Sequence, residues 1–419
     1  MRFKHLAVIV VVFSLLILVN IGQFGAVAAN SKVTIDCWRW LDEPSKPLFD
    51  ELVEDFNKTH PDIKVEVQIV PWDSAYQKLI IGIAAGSPPV VSYVHVNWLG
   101  ALVKMGALQP LDEYMEVWPG AYDIQEEIWD LLKVKGTEKK YLLPTGVVTL
   151  YLYYRKDWFQ QEGLTPPTNY KEFLEAAKTL TKDTDSDGRI DQWGYGLRGA
   201  RGGHDMWNTF VKFFNRDGSI NTDKTAVVKA TKWYADLFRK WKVCPPSAPS
   251  DGFIQFISDF EVGRTAMIIH HIKSSLRMIE ALDGKVSAAV VPEGVNGGYT
   301  SCVPEGYSIL KGASGEKIKA GFKFIAWLAE HKQRDRWCKE VGVVPVLKSV
   351  AKLPYYQQDP FQKASIESMK YAGHLPVVPE TGSFIEDVWF TTFGRLLLGE
   401  ITAEEAVETF YKHYGVARQ

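Results

Sequence analysis

The chain has 419 residues, with 48 Lys and Arg against 50 Asp and Glu and a formal net charge of −2. That balance speaks against a nucleic-acid partner and against attraction to an acidic membrane surface. Four cysteines, Cys37, Cys244, Cys302 and Cys338, lack metal-ligand spacing, and a chain of this length does not need a disulfide framework.

In chain order, Arg2 and Lys4 precede an apolar run over 6–21, and Ala26-Val27-Ala28 supplies the small-x-small pattern of a cleavage site. Residues 1–28 therefore read as a signal peptide, which predicts export to the periplasm or cell surface. The run is short of the roughly 20 apolar residues that a bilayer span needs, and an uncleaved anchor is the alternative. The remaining chain of about 390 residues is too long for one core and predicts two domains.

Residues 33–38 read as a strand, and Leu48, Phe49, Leu52, Val53 and Phe56 recur at helical spacing up to Pro61. Ile63, Val65, Val67 and Ile69 then alternate with polar residues, as in a strand near a sheet edge. Tyr76, Leu79, Ile80 and Ile83 predict a helix, 90–94 a strand, and Trp98, Leu99, Leu102 and Val103 another helix. This succession is a βαβαβ unit, hence a parallel sheet with right-handed crossovers. A long strand over 141–154 opens a second unit. Asn169, with Glu172 three residues on, caps a helix carrying Phe173, Leu174, Ala177 and Leu180. Helices over 226–241 and around Phe253 to Phe260, strands over 265–269 and 286–291, and a mostly helical remainder complete the reading.

Several segments carry a resemblance. These are Asp55-Phe56-Asn57-Lys58-Thr59-His60-Pro61, Val70-Pro71-Trp72-Asp73 and Ala84-Ala85-Gly86-Ser87-Pro88-Pro89-Val90. Later come Leu143-Pro144 with Tyr153-Tyr154-Arg155-Lys156-Asp157, Phe260-Glu261-Val262-Gly263-Arg264-Thr265, and Gly342-Val343-Val344-Pro345. In this order, over almost the whole exported chain, they resemble the extracellular solute-binding proteins of ABC sugar importers, the maltose-binding-protein-like family 1. Val90 stands where that family usually has Asp.

The resemblance implies an α/β fold of two lobes, each a sheet flanked by helices, that close over a solute. Lobe 1 would comprise 32–144 plus 302–343 and lobe 2 would comprise 147–300 plus 344–419, with hinges near 145–146, 299–302 and 344–345. It also implies a carbohydrate ligand, membrane permease subunits as partners and no required cofactor, with a monomer as the default. The 14 Trp and 18 Tyr suit this, because aromatic faces stack on the C–H side of sugar rings, although most aromatics must be core.

Candidate ligand residues follow predicted strands. Trp38, Arg39 and Trp40 follow the first, and Trp72, Tyr93 and His95 hold comparable positions after the next two. The glycine-rich stretch 196–204 contains Arg198, Arg201 and His204. Two arginines facing the cleft would favour an acidic sugar such as a uronate. His270 and His271 follow a strand, and Glu305 and Tyr307 lie beside an expected hinge. Any of these could equally be core.

Asp183, Asp185 and Asp187, the Arg189 carbonyl and Asp191 occupy positions one, three, five, seven and nine of a calcium-loop pattern, with Gly188 at six. Position twelve, normally Glu, is Gly194, so a structural calcium would be weak; a polar turn is the alternative. There is no Gly-x-Ser-x-Gly elbow, His-Glu-x-x-His pair, Walker loop or Cys-x-x-Cys, so the chain is expected not to be an enzyme. A secreted carbohydrate-active enzyme and a binder of a non-sugar solute are the alternatives.

Overall fold

Strand β1 (Val33–Arg39) lies between β2 (Ile63–Ile69) and β3 (Val91–His95), parallel to both. The structure is a computed structural model that describes residues 32–40 and 45–416; the expected signal peptide lies outside them. β2 is the sheet edge, which explains why Lys64 and Glu66 are exposed while Ile63 and Val65 are buried. The intervening helix Lys46–Thr59 packs Leu48, Phe49, Leu52, Val53 and Phe56 inward, and Pro47 in its first turn starts it without loss of a needed N–H. The helices Trp72–Ala84 and Val96–Lys104 complete the expected βαβαβ unit.

Two strands carry the sheet onward. β4 (Leu143–Arg155) has 13 residues, a span of about 40 Å. It pairs with β8 (Thr300–Ile309) from Leu143 to Thr149, then with β6 (Thr265–His271) from Leu150 to Tyr154. β8 in turn pairs with β3 from His95↔Glu305 to Val91↔Ile309. One nine-stranded sheet results, with the order β2-β1-β3-β8-β4-β6-β5, where β5 is Trp193–Tyr195; β7 (Val286–Ala289) pairs with β4 and β9 (Ala372–Gly373) with β8. The sheets of the two lobes are thus continuous through β4 and β8. Both strands are almost wholly buried because helices cover them on either side.

The registers show where β4 and β8 change partners. Pairing of β8 with β3 ends at Glu305 and pairing of β4 with β6 begins at Leu150, so residues 147–149 and 302–304 pair with each other between these two regions. The first two crossings between the lobes are expected from the sequence near 145–146 and 299–302, beside this stretch. Val147 and Val344, the latter at the third expected crossing, are joined by reciprocal backbone hydrogen bonds of 3.0 and 3.1 Å. Gly306 is required at this pass: a Cβ there would lie 2.0 Å from the Leu143 carbonyl oxygen.

Lobe 2 continues with the helix Tyr170–Thr179. The Asn169 side chain accepts from the N–H groups of Lys171 (3.0 Å) and Glu172 (3.1 Å). The Glu172 carboxylate reaches back to Thr168 rather than to Asn169 itself. The helices Lys224–Arg239, Trp389–Leu398 and Ala403–His413 enclose an aromatic core around Trp207, Trp389, Phe213, Phe384 and Phe410. Much of the aromatic surplus is spent there, at rings with no exposure. All four cysteines are buried and free. No helix among the described residues is long and apolar enough to cross a membrane.

Candidate ligand-binding cleft between the lobes

A cavity partly open to solvent lies where the two lobes meet. Its floor is made by Val148 and Leu150 of β4 and Val303 of β8, the strands that bridge the lobes. Lobe 1 supplies Trp40, Trp72 and His95, each just past or at the C-terminal end of a parallel strand, where open α/β sheets place their ligands.

Trp40 and Trp72 meet edge-to-face with ring centroids 4.6 Å apart, and Trp98 stacks behind Trp72 at 5.4 Å. Trp98 is buried, so it supports the wall rather than forming it. His95 caps the helix Val96–Lys104: its Nδ1 accepts the Asn97 N–H at 3.3 Å. The neutral ring therefore carries its proton on Nε2, an assignment made from this hydrogen bond.

Lobe 2 supplies Arg198, His204 and Asp205 from one segment and His270, His271 and Lys273 from the end of β6. Gly202, at φ +87°, lets the loop wrap over Arg198, whose guanidinium carbon lies 2.5 Å from where a Cβ would sit. The glycines of this stretch fold the loop around its arginine. Asp205, in the first turn of the helix His204–Val211, accepts a hydrogen bond from the Ser301 hydroxyl on β8. His270 and His271 have ring centroids 3.8 Å apart and are bracketed by Phe253 and Phe256.

Across the cleft, the Lys273 ammonium of lobe 2 pairs with the Glu305 carboxylate on β8, with side-chain exposures of only 10% and 6%. Tyr93 Oη donates to the same carboxylate at 3.0 Å, and the ammonium lies 5.0 Å from the Trp40 ring centre.

Burial controls the protonation of the imidazoles. It pushes His95 down to about 3, where Asp205 opposes the shift and His204 and Lys273 add to it. His204 is lowered by burial, against the pull of Asp205 and with the help of Arg198. Burial likewise holds His270 and His271 well below the ordinary value, reinforced in His270 by His271 and in His271 by Lys273. All four rings are neutral near pH 7, and each then offers one donor and one acceptor.

The cleft thus gathers Trp40, Trp72, His95, Arg198, His204, His270, His271 and Glu305 from the sequence candidates. Five candidates lie elsewhere. Arg39 points to the opposite side, into the lobe-1 core, where its guanidinium sits 4.1–4.7 Å from the ring centres of Tyr93, Phe49 and Trp337 and donates to Tyr307 Oη. Tyr307 is therefore part of that cage and not of the wall. Trp38 packs under Lys78 and against Gly82 on the helix Trp72–Ala84. Tyr93 acts behind the wall, through Glu305. Arg201 is turned away to Glu386, donating to its carbonyl oxygen at 3.1 Å with the carboxylate 3.5 Å away. The two-arginine fork that would favour a uronate does not form.

Sequence reading missed Lys273, Asp205, Met206, Phe253 and Ile385. Asp205 and Lys273 lie next to, and two residues beyond, chosen histidines, so extending those segments would have found them. Ile385 carries no local signal.

Distant from the cleft, ligand oxygens of Asp183, Asp185 and Asp187 converge within 4.8 Å. Asp191 instead accepts from the N–H and hydroxyl of Thr184, which hold its carboxyl below the usual range. Position twelve cannot supply an acid, because β5 packs so tightly there that a Cβ on Gly194 would lie 1.9 Å from the Ala177 carbonyl oxygen.

The family profile described as bacterial extracellular solute-binding protein matches residues 42–335, well over half of the chain. The chain belongs to this family. This solute-binding protein is 25% identical over 393 residues to the mannitol-binding protein of Pseudomonas aeruginosa, covering 84% of this chain and 86% of that one. It shares its fold with a solute-binding protein of Thermotoga lettingae bound with α-D-tagatose (TM-score 0.82, 23% identity, 92% and 100% of the two chains). The maltodextrin-binding domain of Bdellovibrio bacteriovorus bound to maltotriose gives a TM-score of 0.79 at 22% identity, over 91% and 99% of the chains. All three are binding proteins.

Proposed function

We propose that this solute-binding protein is the exported capture subunit of an ABC importer. It would hold a carbohydrate or polyol between its lobes and hand the closed complex to membrane permease subunits as a monomer. The observation that carries this reading is the composition of the cleft: one cavity walled by both lobes and floored by the strands that join them. Closing such a cavity removes water from the ligand and requires rotation only at a few bridging residues, here 147–149, 302–304 and 344. Paired indoles beside neutral imidazoles and fixed charges suit a guest with apolar C–H faces and many hydroxyls. The ligands named for its relatives, mannitol, tagatose and maltotriose, are of that class.

A thermal-shift screen of sugars and polyols tests the reading. A true ligand at 100 times its dissociation constant adds about 2.7 kcal/mol and raises the melting point visibly. Chromatography of the same ligand after long incubation should return it unchanged, since the protein is proposed to bind and not to turn over.

The three converging aspartates are proposed to hold calcium weakly, with dissociation constants in the range of about 10⁻⁴–10⁻³ M. Calorimetry should show heat with millimolar calcium for the unaltered chain and none for Asp183→Asn. Absence of heat in both would make the loop a polar turn.

A further inference from the structure

We infer that the cleft selects a compact, uncharged polyol of one unit, a monosaccharide or short alditol, and rejects both sugar acids and oligosaccharides. This rests on the solute-binding reading of the cleft and narrows it.

Charge comes first. Among the residues lining the cavity, Arg198 and Lys273 are cationic and Asp205 and Glu305 are anionic, so the fixed charges cancel. Lys273 is committed to Glu305, and the Asp205 carboxylate accepts from the Ser301 hydroxyl. An anionic ligand at Lys273 would have to displace Glu305 from its cation, and one near Asp205 would lie beside an uncompensated carboxylate. A neutral ligand does neither.

Hydrogen bonding comes second. Among the described residues, Trp40 Nε1, both ring nitrogens of His204 and His270, and His271 Nδ1 are buried with no hydrogen-bond partner from the protein. Buried polar atoms in native proteins are ordinarily satisfied, and these face the cavity, where a ligand's polar groups can reach them. Neutral imidazole offers a donor on one nitrogen and an acceptor on the other, and a hydroxyl is both as well. Several hydroxyls on one small molecule satisfy the set, whereas an apolar guest satisfies none of it.

Length comes third. Trp40 and Trp72 pack against each other edge-to-face, giving one corner and no row of platforms along which successive rings could stack. The Lys273–Glu305 pair is strung from lobe 2 to β8 across the cavity, nearly buried, and blocks extension of a chain past Trp40. Ile385, Met206 and Phe253 add apolar groups to the lining.

The test is calorimetry on the full exported chain, purified free of ligand, with pentitols, hexitols, aldohexoses and ketohexoses, against D-glucuronate, D-galacturonate, maltose and maltotriose. The expected result is that at least one neutral single-unit ligand binds 100-fold or more tightly than every sugar acid and every oligosaccharide. Tighter binding of maltotriose or a uronate overturns the inference and leaves the carbohydrate reading standing. No heat from any member of the panel sinks both. In a second arm, His270→Phe should weaken the best neutral ligand at least tenfold while the unliganded melting point does not fall. Unaltered affinity in that folded variant would remove the imidazoles from ligand recognition.

Discussion

Replacing Lys273 by Met should lower stability by about 3–5 kcal/mol, because it strands the Glu305 carboxylate in a site only 6% exposed. Tyr93 would remain as a hydrogen-bond donor to Glu305, but one phenol does not replace a cation. Glu305→Gln should cost a similar amount by stranding the ammonium. The double variant Lys273→Met, Glu305→Gln should recover most of the loss, since neither charge is then left alone. Urea unfolding midpoints of the four proteins complete the cycle. Additive losses of under 1 kcal/mol each would show that the pair does not span the cleft in solution. The pair also links lobe 2 to a strand that pairs with lobe 1, so the single variants should open the unliganded molecule, which small-angle scattering would register as a larger radius of gyration.

Acidification should destabilise the chain from about pH 6.5 downward. His95, His204, His270 and His271 have folded-state values below the ordinary 6.5, so the unfolded chain takes up protons that the folded chain refuses. The stability these rings permit is complete above their unfolded value and is lost as pH falls towards their folded values, about 3 in the case of His95. Each imidazole contributes a slope of at most about 1.4 kcal/mol per pH unit, and all four act in the same direction. The groups facing them set the differences between the four. Asp205 favours charging of His95 and His204, while Lys273, Arg198 and Arg277 oppose charging of their neighbours. Melting points across this range should fall steeply for the unaltered protein and less steeply for His270→Asn. A flat profile would mean that water reaches these rings and the cleft is open.

The arginines show how far residue type can mislead without geometry. Arg39 stands immediately before Trp40, yet one lies in an aromatic cage of the lobe-1 core and the other on the cleft wall. Side chains alternate along a strand, so adjacent residues at a strand end face opposite ways, and only the position of β1 in its sheet decides which way is the cleft. Arg198 and Arg201 are three residues apart in one glycine-rich loop, and the fold sends one to the cavity and the other to Glu386.

What the sequence determined by itself was local and periodic. The helical recurrence of Leu48 to Phe56, the alternation of 63–69 that marks an edge strand, the Asn169 cap and the βαβαβ succession all depend on residues within a few turns of one another. The short strand β5 and most of β8 left no such signal. Three residues are too few to show a period, and a strand buried on both faces, carrying Pro304 and Gly306, shows no alternation. The tertiary structure alone decided the cleft. His95, His204, His270 and Glu305 come from four separated segments, and Lys273 reaches a carboxylate 32 residues away only because β6 and β8 both flank β4. Pairing, burial and charge compensation are properties of groups brought together by packing, and no window of sequence contains both partners.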